Sequence, residues 1–161
     1  MRLFVAIQLS DEMKKALVAC MHDLKKQGVE GNYVPAQNLH LTLAFIGEYE
    51  DPEKVKRVIE NVPLPQFRLS LSEKGNFGNL LWAGVKGNQK LKMYVKDLRD
   101  ALRAAGIPFD DDKFIPHITL IRKAAAKKAY QVRLPKAEMT VRKVSLMRSE
   151  MKNGKTVYRE M

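Results

Sequence analysis

The sequence is poor in cysteine and in long apolar runs. Cys20 is the only cysteine among 161 residues, so the chain cannot form an internal disulfide and nothing indicates an oxidising compartment. No apolar run approaches the roughly 20 residues that a transmembrane helix needs. Hydrophobic residues still make up 45% of the chain, which is enough to build a core and argues against disorder. We therefore expect a soluble, cytoplasmic protein that does not bind membranes.

Acidic residues are outnumbered, most strongly in the last part of the chain. Lys and Arg total 29 against 18 Asp and Glu, which gives a net charge of +11. Residues 122–161 hold twelve basic and three acidic residues, and therefore carry +9 of that excess. A basic surface attracts polyanions, most strongly at low salt. The segment favours a phosphate-bearing partner, although charge that only maintains solubility would look the same.

Hydrophobic periodicity predicts an α+β fold in a single domain covering residues 1–161. Ser10, Asp51 and Asn88 are each suited to begin a helix, and Gly28 and Gly106 end the first and third helices. Strands are predicted at 2–8, 39–46, 67–71, 80–85 and 115–121, with a closing hairpin of 138–147 and 156–160. Because helices and strands do not alternate regularly, we expect mostly antiparallel sheets with helices on the outside.

Two of the predicted strands carry the same polar pair. His40-Leu41-Thr42-Leu43 reads HLTL, and the strand that contains His117 and Thr119 reads HITL. The two histidines lie 77 residues apart, close to half the chain, and each strand follows a helix of similar length. The chain has only three histidines, and we expect the third, His22, to lie on a helix surface. The repeat hints at an internal duplication.

Side-chain alternation puts each polar pair on one face of its strand. His40 and Thr42 share a face with Ala44, whereas Phe45 is expected on the opposite, apolar face. A single histidine on a strand is usually a hydrogen-bonded structural residue. Two matching pairs are better explained by one cleft that both polar faces line, because polar groups are costly to bury alone.

Two opposed histidines suit acid–base chemistry. Imidazole both gives and takes protons near neutral pH, so one ring can deprotonate a nucleophile while the other protonates a leaving group. Threonine hydroxyls can donate hydrogen bonds to phosphate oxygens, so cleavage of a phosphodiester fits these residues and the basic surface. A metal site is poorly supported because no third ligand is evident. The aspartates at 110–112 are expected to form a solvated turn.

At these residues the sequence resembles the 2H phosphoesterases. The family hallmark is a pair of H-x-T-φ motifs (φ apolar) on two strands of a small bilobal protein. The runs RLFVAI, NLHLTLAFIGE and FIPHITLIRK resemble the RNA 2′,3′-cyclic phosphodiesterase branch, also called 2′-5′ RNA ligase-like. The resemblance spans essentially the whole chain. It implies two pseudo-symmetric α+β lobes that flank a central cleft.

The resemblance also implies roles for individual residues. His40 and His117 would be the catalytic pair, and Thr42 and Thr119 would bind the phosphate. Arg122 falls where the family often has a phosphate-contacting arginine, although strict alternation puts it on the face opposite His117. The alternative interpretation is that Arg122 is only a surface charge.

The resemblance also makes Phe4 a candidate substrate-binding residue. It would stack on a base, and its alternative is a core aromatic residue.

The implied reaction opens a ribose 2′,3′-cyclic phosphate to the 2′-phosphate. The resemblance implies no metal and no organic cofactor, and the partner is RNA or a nucleotide with a 2′,3′-cyclic phosphate, bound by a monomer. We assign His40 as the acid and His117 as the base, although the sequence does not distinguish them. Three alternatives remain: a 2′-5′ RNA ligase-type end-processing enzyme, a non-catalytic nucleotide-binding module that uses the same cleft, and a basic RNA-binding protein without an active cleft.

Overall fold

The three predicted helices form where their capping residues begin them. In the computed structural model, which describes residues 1–161, the side chains of Ser10, Asp51 and Asn88 each accept a hydrogen bond from a backbone N–H three residues later, at 3.2 Å. The helices are α1 (Asp11–Lys26), α2 (Pro52–Asn61) and α3 (Gln89–Ala104). None of them is both long enough and apolar enough to cross a membrane.

Nine strands make up two sheets, in which every pairing is antiparallel. The strands are β1 (Arg2–Gln8), β2 (Glu30–Tyr33), β3 (His40–Glu48), β4 (Phe67–Phe77), β5 (Leu80–Val85), β6 (His117–Ala125), β7 (Glu138–Val141), β8 (Ser145–Lys152) and β9 (Lys155–Glu160). The first sheet has the order β3-β1-β8-β9, and the second has the order β2-β6-β5-β4-β7. The α+β class with antiparallel sheets is therefore confirmed.

The two halves of the fold repeat one arrangement. In the first half, β1 and the motif strand β3 pair side by side and are separated in the chain by α1. In the second half, β5 and the motif strand β6 pair in the same way and are separated by α3. Both helices have 16 residues. The two motif strands therefore occupy similar units of the fold, each paired with a strand that precedes a 16-residue helix.

The sheets share one apolar core. Helix α1 contacts β7 of the second sheet, whereas α2 contacts β8 and α3 contacts β3 of the first sheet. Leu17 of α1, Val55 of α2 and Leu98 of α3 are fully buried in a single cluster that also contains residues of both sheets. Because this core is continuous, it fixes the position of β3 relative to β6, the two strands that carry the motifs.

Three predictions about strands need correction. Residues 138–147 do not form one strand of the closing hairpin, since β7 belongs to the second sheet and only β8 pairs with β9. Strand β4 continues beyond residue 71, where the predicted strand ends, to Phe77, because it stays paired with β5. The short strand β2 was not predicted; its sequence, EGNY, has none of the apolar alternation that indicates a strand.

Candidate active site

A β-bulge interrupts β3 at Leu43, the last residue of its motif. Val5 pairs with Ala44 and the next residue of β1, Ala6, pairs with Thr42, so Leu43 is an extra residue without a partner of its own. A bulge of this kind places two consecutive side chains on about the same side of a strand. Leu43 and Ala44 are accordingly both buried in the core.

The second motif strand contains a bulge at the equivalent position. Leu81 pairs with Ile121 and Trp82 pairs with Thr119, which leaves Leu120 as the extra residue of β6. Leu120 and Ile121 are both completely buried. The two motif strands therefore share a local backbone irregularity as well as a sequence pattern.

Because of the bulges, the side chains that face the cleft after each motif differ from those that strict alternation predicts. The expectation that Ala44 faces the cleft and Phe45 faces the core is wrong: Ala44 is 1% exposed and Phe45 is 38% exposed. The same shift in β6 resolves the conflict over Arg122, because one extra residue returns it to the face of His117. Arg122 is exposed and lines a cavity together with His40. Phe45 and Arg122 hold equivalent positions, each five residues after a motif histidine.

Two adjoining cavities form the cleft. One, of about 400 Å³, contains His117, and the other, of about 370 Å³, contains His40. Thr42 and Phe45 line both cavities, so the two meet at these residues. The remaining cleft residues of interest are Phe77, Arg99, Lys113 and Phe114 on the side of His117, and Arg2, Phe4, Arg122, Ser149 and Tyr158 on the side of His40.

One hydrogen bond orients each motif histidine. Nδ1 of His40 lies 2.7 Å from the carbonyl oxygen of Asn38, and Nδ1 of His117 lies 2.6 Å from that of Ile115. A carbonyl oxygen can only accept, so Nδ1 carries the proton in both rings. In the neutral imidazole Nε2 is then the proton acceptor, and in the imidazolium Nε2–H is the proton donor. Both rings therefore use Nε2 for any chemistry.

The two Nε2 atoms have different surroundings. Nε2 of His40 lies 2.8 Å from the hydroxyl oxygen of Thr42, which donates to it when the ring is neutral. The ring of His117 makes only its Nδ1 bond. Thr119 is half-buried on the face of His117 and pairs with Trp82, but it lines neither cavity.

Aromatic rings hold the imidazole of His40. Its centroid lies 4.9 Å from that of Phe4 and 5.1 Å from that of Tyr158, which meets it edge-on. Phe4 is only 3% exposed and also packs against Ala6 and Met147 in a small buried cluster. Contacts of this geometry stabilise the orientation of a ring.

A similar pair of rings lies against His117. Phe77 meets the imidazole edge-on at 5.1 Å, and Trp82 is tilted against it at 5.7 Å. The indole of Trp82 lies directly on Gly75, where a Cβ would stand 2.1 Å from the ring. A glycine is therefore required in the middle of β4, and it lets the indole reach the histidine.

The surroundings of His40 favour its neutral form. Burial lowers the pKa of His40 below its usual value, and the hydrogen bond to Asn38 opposes this effect. The positive charges of Arg122 and His117 lower the pKa further. Arg122 lines the same cavity as His40, which places its charge close to the imidazole.

The side chains that could bind a metal ion are dispersed over the molecule. Nowhere do three His, Cys, Asp or Glu side chains lie close enough together to share a metal ion. The aspartates at 110–112 are exposed, as expected, and His22 is exposed on α1. Cys20 is buried on α1, where burial raises the pKa of its thiol to about 11.

Sequence reasoning missed several cleft residues. Phe45 was missed because alternation alone cannot reveal a bulge. Tyr158, Phe77 and Trp82 lie on strands far from the motifs in sequence, and only the pairing of strands brings them to the histidines. Arg99 lies on a helix whose apolar stripe gave no reason to single it out.

Removing the charge of Arg122 should raise the pKa of His40. Arg122→Gln eliminates a nearby positive charge that disfavours the imidazolium. Titration of the His40 ring protons by NMR checks this, with Arg57→Gln on the exposed face of α2 as the control. A pKa of His40 that does not rise in Arg122→Gln, or that rises equally in the control, would contradict this placement of Arg122.

Comparison with known proteins identifies the family. A model of the 2′-5′ RNA ligase superfamily matches residues 7–153. A Thermotoga maritima protein named RNA 2′,3′-cyclic phosphodiesterase is 33% identical over 132 residues, which cover 76% of this chain and 70% of that protein. An Escherichia coli protein of the same name is 31% identical over 131 residues, which cover 77% of this chain and 73% of that protein.

Solved structures show the same similarity over nearly the whole chain. The crystal structure of Escherichia coli LigT complexed with 3′-AMP superposes with a TM-score of 0.84 at 29% identity, covering 99% of this chain and 94% of that one. A crystal structure described as a phosphoesterase superposes with a TM-score of 0.85 at 28% identity and equal coverage. With its paired motifs, its bilobal α+β fold and these matches, the chain belongs to the 2′-5′ RNA ligase superfamily.

Proposed function

We propose that this protein is an RNA 2′,3′-cyclic phosphodiesterase that hydrolyses 2′,3′-cyclic phosphate ends to the 2′-phosphate. One observation carries the proposal: two histidines, each with Nδ1 bonded to a carbonyl two residues earlier, share one cleft with Arg122. Relatives that bear the name of this activity support it. The substrate is RNA or a nucleotide that ends in the cyclic phosphate.

The reaction needs one neutral and one charged histidine. Nε2 of the neutral ring takes a proton from water, whose oxygen attacks phosphorus in line. Nε2–H of the charged ring gives its proton to the departing ribose 3′ oxygen, so the bond from phosphorus to that oxygen breaks. Thr42 and Arg122, which line the cavity of His40, are proposed to hold the non-bridging oxygens. Thr119 is proposed to add a third contact from its half-buried position on the face of His117.

We assign His40 as the acid and His117 as the base. In the free protein the pKa of His40 is lowered, so the ring must gain its proton when substrate binds. A bound phosphate anion offsets the charge of Arg122 and stabilises the imidazolium. A substrate with sulfur in place of the 3′ oxygen has a better leaving group, and it should restore the activity of the variant that lacks the acid. If it restores His117→Ala instead of His40→Ala, the roles are reversed.

Aromatic side chains that face the cleft are candidates to contact the nucleoside. Phe45 is exposed between the two cavities, and the guanidinium of Arg2 lies 5.4 Å from its ring centroid. We keep Phe4 as a proposed contact to the base, made through the part of its ring that borders the cavity of His40.

The active unit is proposed to be a cytoplasmic monomer in which the whole chain forms one bilobal domain. Both motif strands and all cleft residues come from a single chain, so no second copy is required to complete the site. The buried free thiol of Cys20 suits a reducing compartment.

A ligase-type reaction is the second candidate. The cavity beside His117 holds about 400 Å³ and is lined by Phe45, Phe77 and Phe114, which offers space for a second nucleoside. Its 5′ hydroxyl would replace water as the nucleophile. Addition of an RNA with a free 5′ hydroxyl tests this, because a 2′-5′ linked product would appear at the expense of the 2′-phosphate.

Hydrolysis of a nucleoside 2′,3′-cyclic phosphate should proceed in EDTA and yield the 2′-phosphate. The expected chemistry uses two imidazoles and needs no metal-bound water. Chromatography that separates the 2′ and 3′ isomers checks both points. Loss of turnover in the chelator with recovery on adding zinc or manganese would overturn the mechanism, and accumulation of the 3′-phosphate would show that the other oxygen leaves.

Replacing either motif histidine should abolish most turnover. His40→Ala and His117→Ala each remove a proton-transfer group, which typically contributes about 10²–10⁴-fold. Thr42→Ala and Thr119→Ala remove one hydrogen bond each, so they should lose about tenfold or less. His22→Ala, on the exposed face of α1, is the matched control. If His40→Ala turns over at the rate of the control, the paired mechanism is wrong.

RNA should be a better substrate than a mononucleotide at low salt. The basic segment 122–161 can contact phosphates upstream of the cyclic end, and such contacts weaken as salt rises. Replacing Lys152 and Lys155, both exposed at the turn between β8 and β9, with Gln should lower kcat/KM for RNA only. Lys86→Gln with Lys92→Gln is the control outside the segment. Equal salt dependence for RNA and mononucleotide would contradict the prediction.

A further inference from the structure

The outer edge of β3 is bonded by groups that do not belong to a strand. β3 is the edge strand of the first sheet, so its carbonyl groups on the side away from β1 have no neighbouring strand to accept from. Two of them are nevertheless bonded. The backbone N–H of Asp110 donates to the carbonyl of Phe45 at 2.8 Å, and the guanidinium of Arg99 donates to the carbonyl of Leu43.

Arg99 connects this edge to the segment that leads to His117. Its Nε and Nη2 lie 3.3 Å and 3.2 Å from the carbonyl oxygen of Leu43, and its Nη1 lies 2.7 Å from the carbonyl oxygen of Asp112. The guanidinium also lies 5.9 Å and 5.7 Å from the ring centroids of Phe109 and Phe114. One planar group thus contacts both sides of the gap between β3 and residues 109–116.

A guanidinium group is well suited to bond the carbonyl groups of Leu43 and Asp112 at the same time. It offers five N–H donors in a rigid plane and no acceptor, so it can hold two carbonyls at a fixed separation. Burial lowers the pKa of Arg99, and the carboxylates of Asp110 and Asp111 oppose that effect, so the group keeps its charge. Hydrogen bonds from a charged donor are stronger than those between neutral groups.

The two bonded carbonyls are close to the reactive groups along the chain. Leu43 is the extra residue of the bulge in β3 and directly follows Thr42, whose hydroxyl contacts His40. Asp112 lies three residues before Ile115, whose carbonyl orients His117. Arg99 also lines the cavity that contains Thr42 and His117. A shift of either carbonyl would therefore move one histidine relative to the other.

We propose that Arg99 is a positioning residue that sets the separation of His40 and His117 by joining the carbonyls of Leu43 and Asp112. This role rests on the proposed function, because the separation matters only if both rings act on one phosphate. A misplacement of about 1 Å can cost about 10²-fold in rate. Arg99 acts through the histidines and makes no step of the reaction itself.

Arg99→Met tests the proposal against Arg103→Met. Methionine keeps apolar contact with Phe109 but has no N–H donors. Arg103 lies one turn later on α3, with its guanidinium 5.2 Å from the same ring centroid, and its ion pair is with Asp100 of its own helix. We expect kcat of Arg99→Met for a cyclic nucleotide to fall by about 10- to 10²-fold with little change in KM, and kcat of Arg103→Met to stay close to wild type.

NMR of the histidine rings separates this proposal from the proposed function. The ring signals of His40 and His117 should both shift in Arg99→Met and stay in place in Arg103→Met, whether or not the protein turns over a cyclic phosphate. If the wild type is inactive but the signals shift, the proposed function fails and the link through Arg99 stands. Unchanged signals with wild-type kcat in a folded Arg99→Met would overturn the proposal.

Two further outcomes also test the positioning role of Arg99. A raised KM with unchanged kcat would make Arg99 a substrate contact and would contradict a positioning role. If Arg99→Met does not fold, Arg99→Lys takes its place, because lysine keeps the charge but cannot hold two carbonyls in one plane. An intermediate kcat with shifted histidine signals supports the proposal, and wild-type kcat and signals overturn it.

Discussion

The hydrogen bond from each histidine Nδ1 to the carbonyl two residues earlier is the interaction on which the site depends. It fixes the tautomer of His40 and of His117, and it directs both Nε2 atoms to the cleft. The carbonyls of Asn38 and Ile115 lie just before β3 and β6 begin. Each ring is therefore oriented by the backbone that leads directly into its own strand. Aromatic rings from other strands then hold the imidazoles, and the shared core holds the two strands together.

The paired bulges give the cleft its asymmetric chemistry. Each bulge lies at the last residue of the motif and turns the side chain two positions later towards the cleft. In β3 that side chain is Phe45, which offers an apolar face, and in β6 it is Arg122, which offers a positive charge. The two motif strands thus place an apolar ring and a positive charge at equivalent positions of the cleft. The charge of Arg122 also lowers the pKa of His40.

The sequence predicted those parts of the structure that depend on neighbouring residues in the chain, such as helix starts and the faces of strands. Capping side chains predicted all three helix starts, and the repeated His-x-Thr pattern predicted two related strands with polar faces. The bulges were not predictable, because an extra residue within an apolar run looks like any other apolar residue until the partner strand is known. For the same reason the rings of Tyr158 and Trp82 were missed, since strand order brings them to the histidines. The segment 138–147 was assigned to one strand, although its halves pair in different sheets.

The central claim is that His40 and His117 act through Nε2 on opposite sides of one phosphorus atom. The most direct test is a crystal structure with uridine and vanadate, which together mimic the five-coordinate phosphorus of in-line attack. The account predicts one apical oxygen within about 2.6–3.2 Å of each Nε2, with Arg122 facing the equatorial oxygens. Vanadate bound away from the cleft, or both histidines contacting the same apical oxygen, would contradict it.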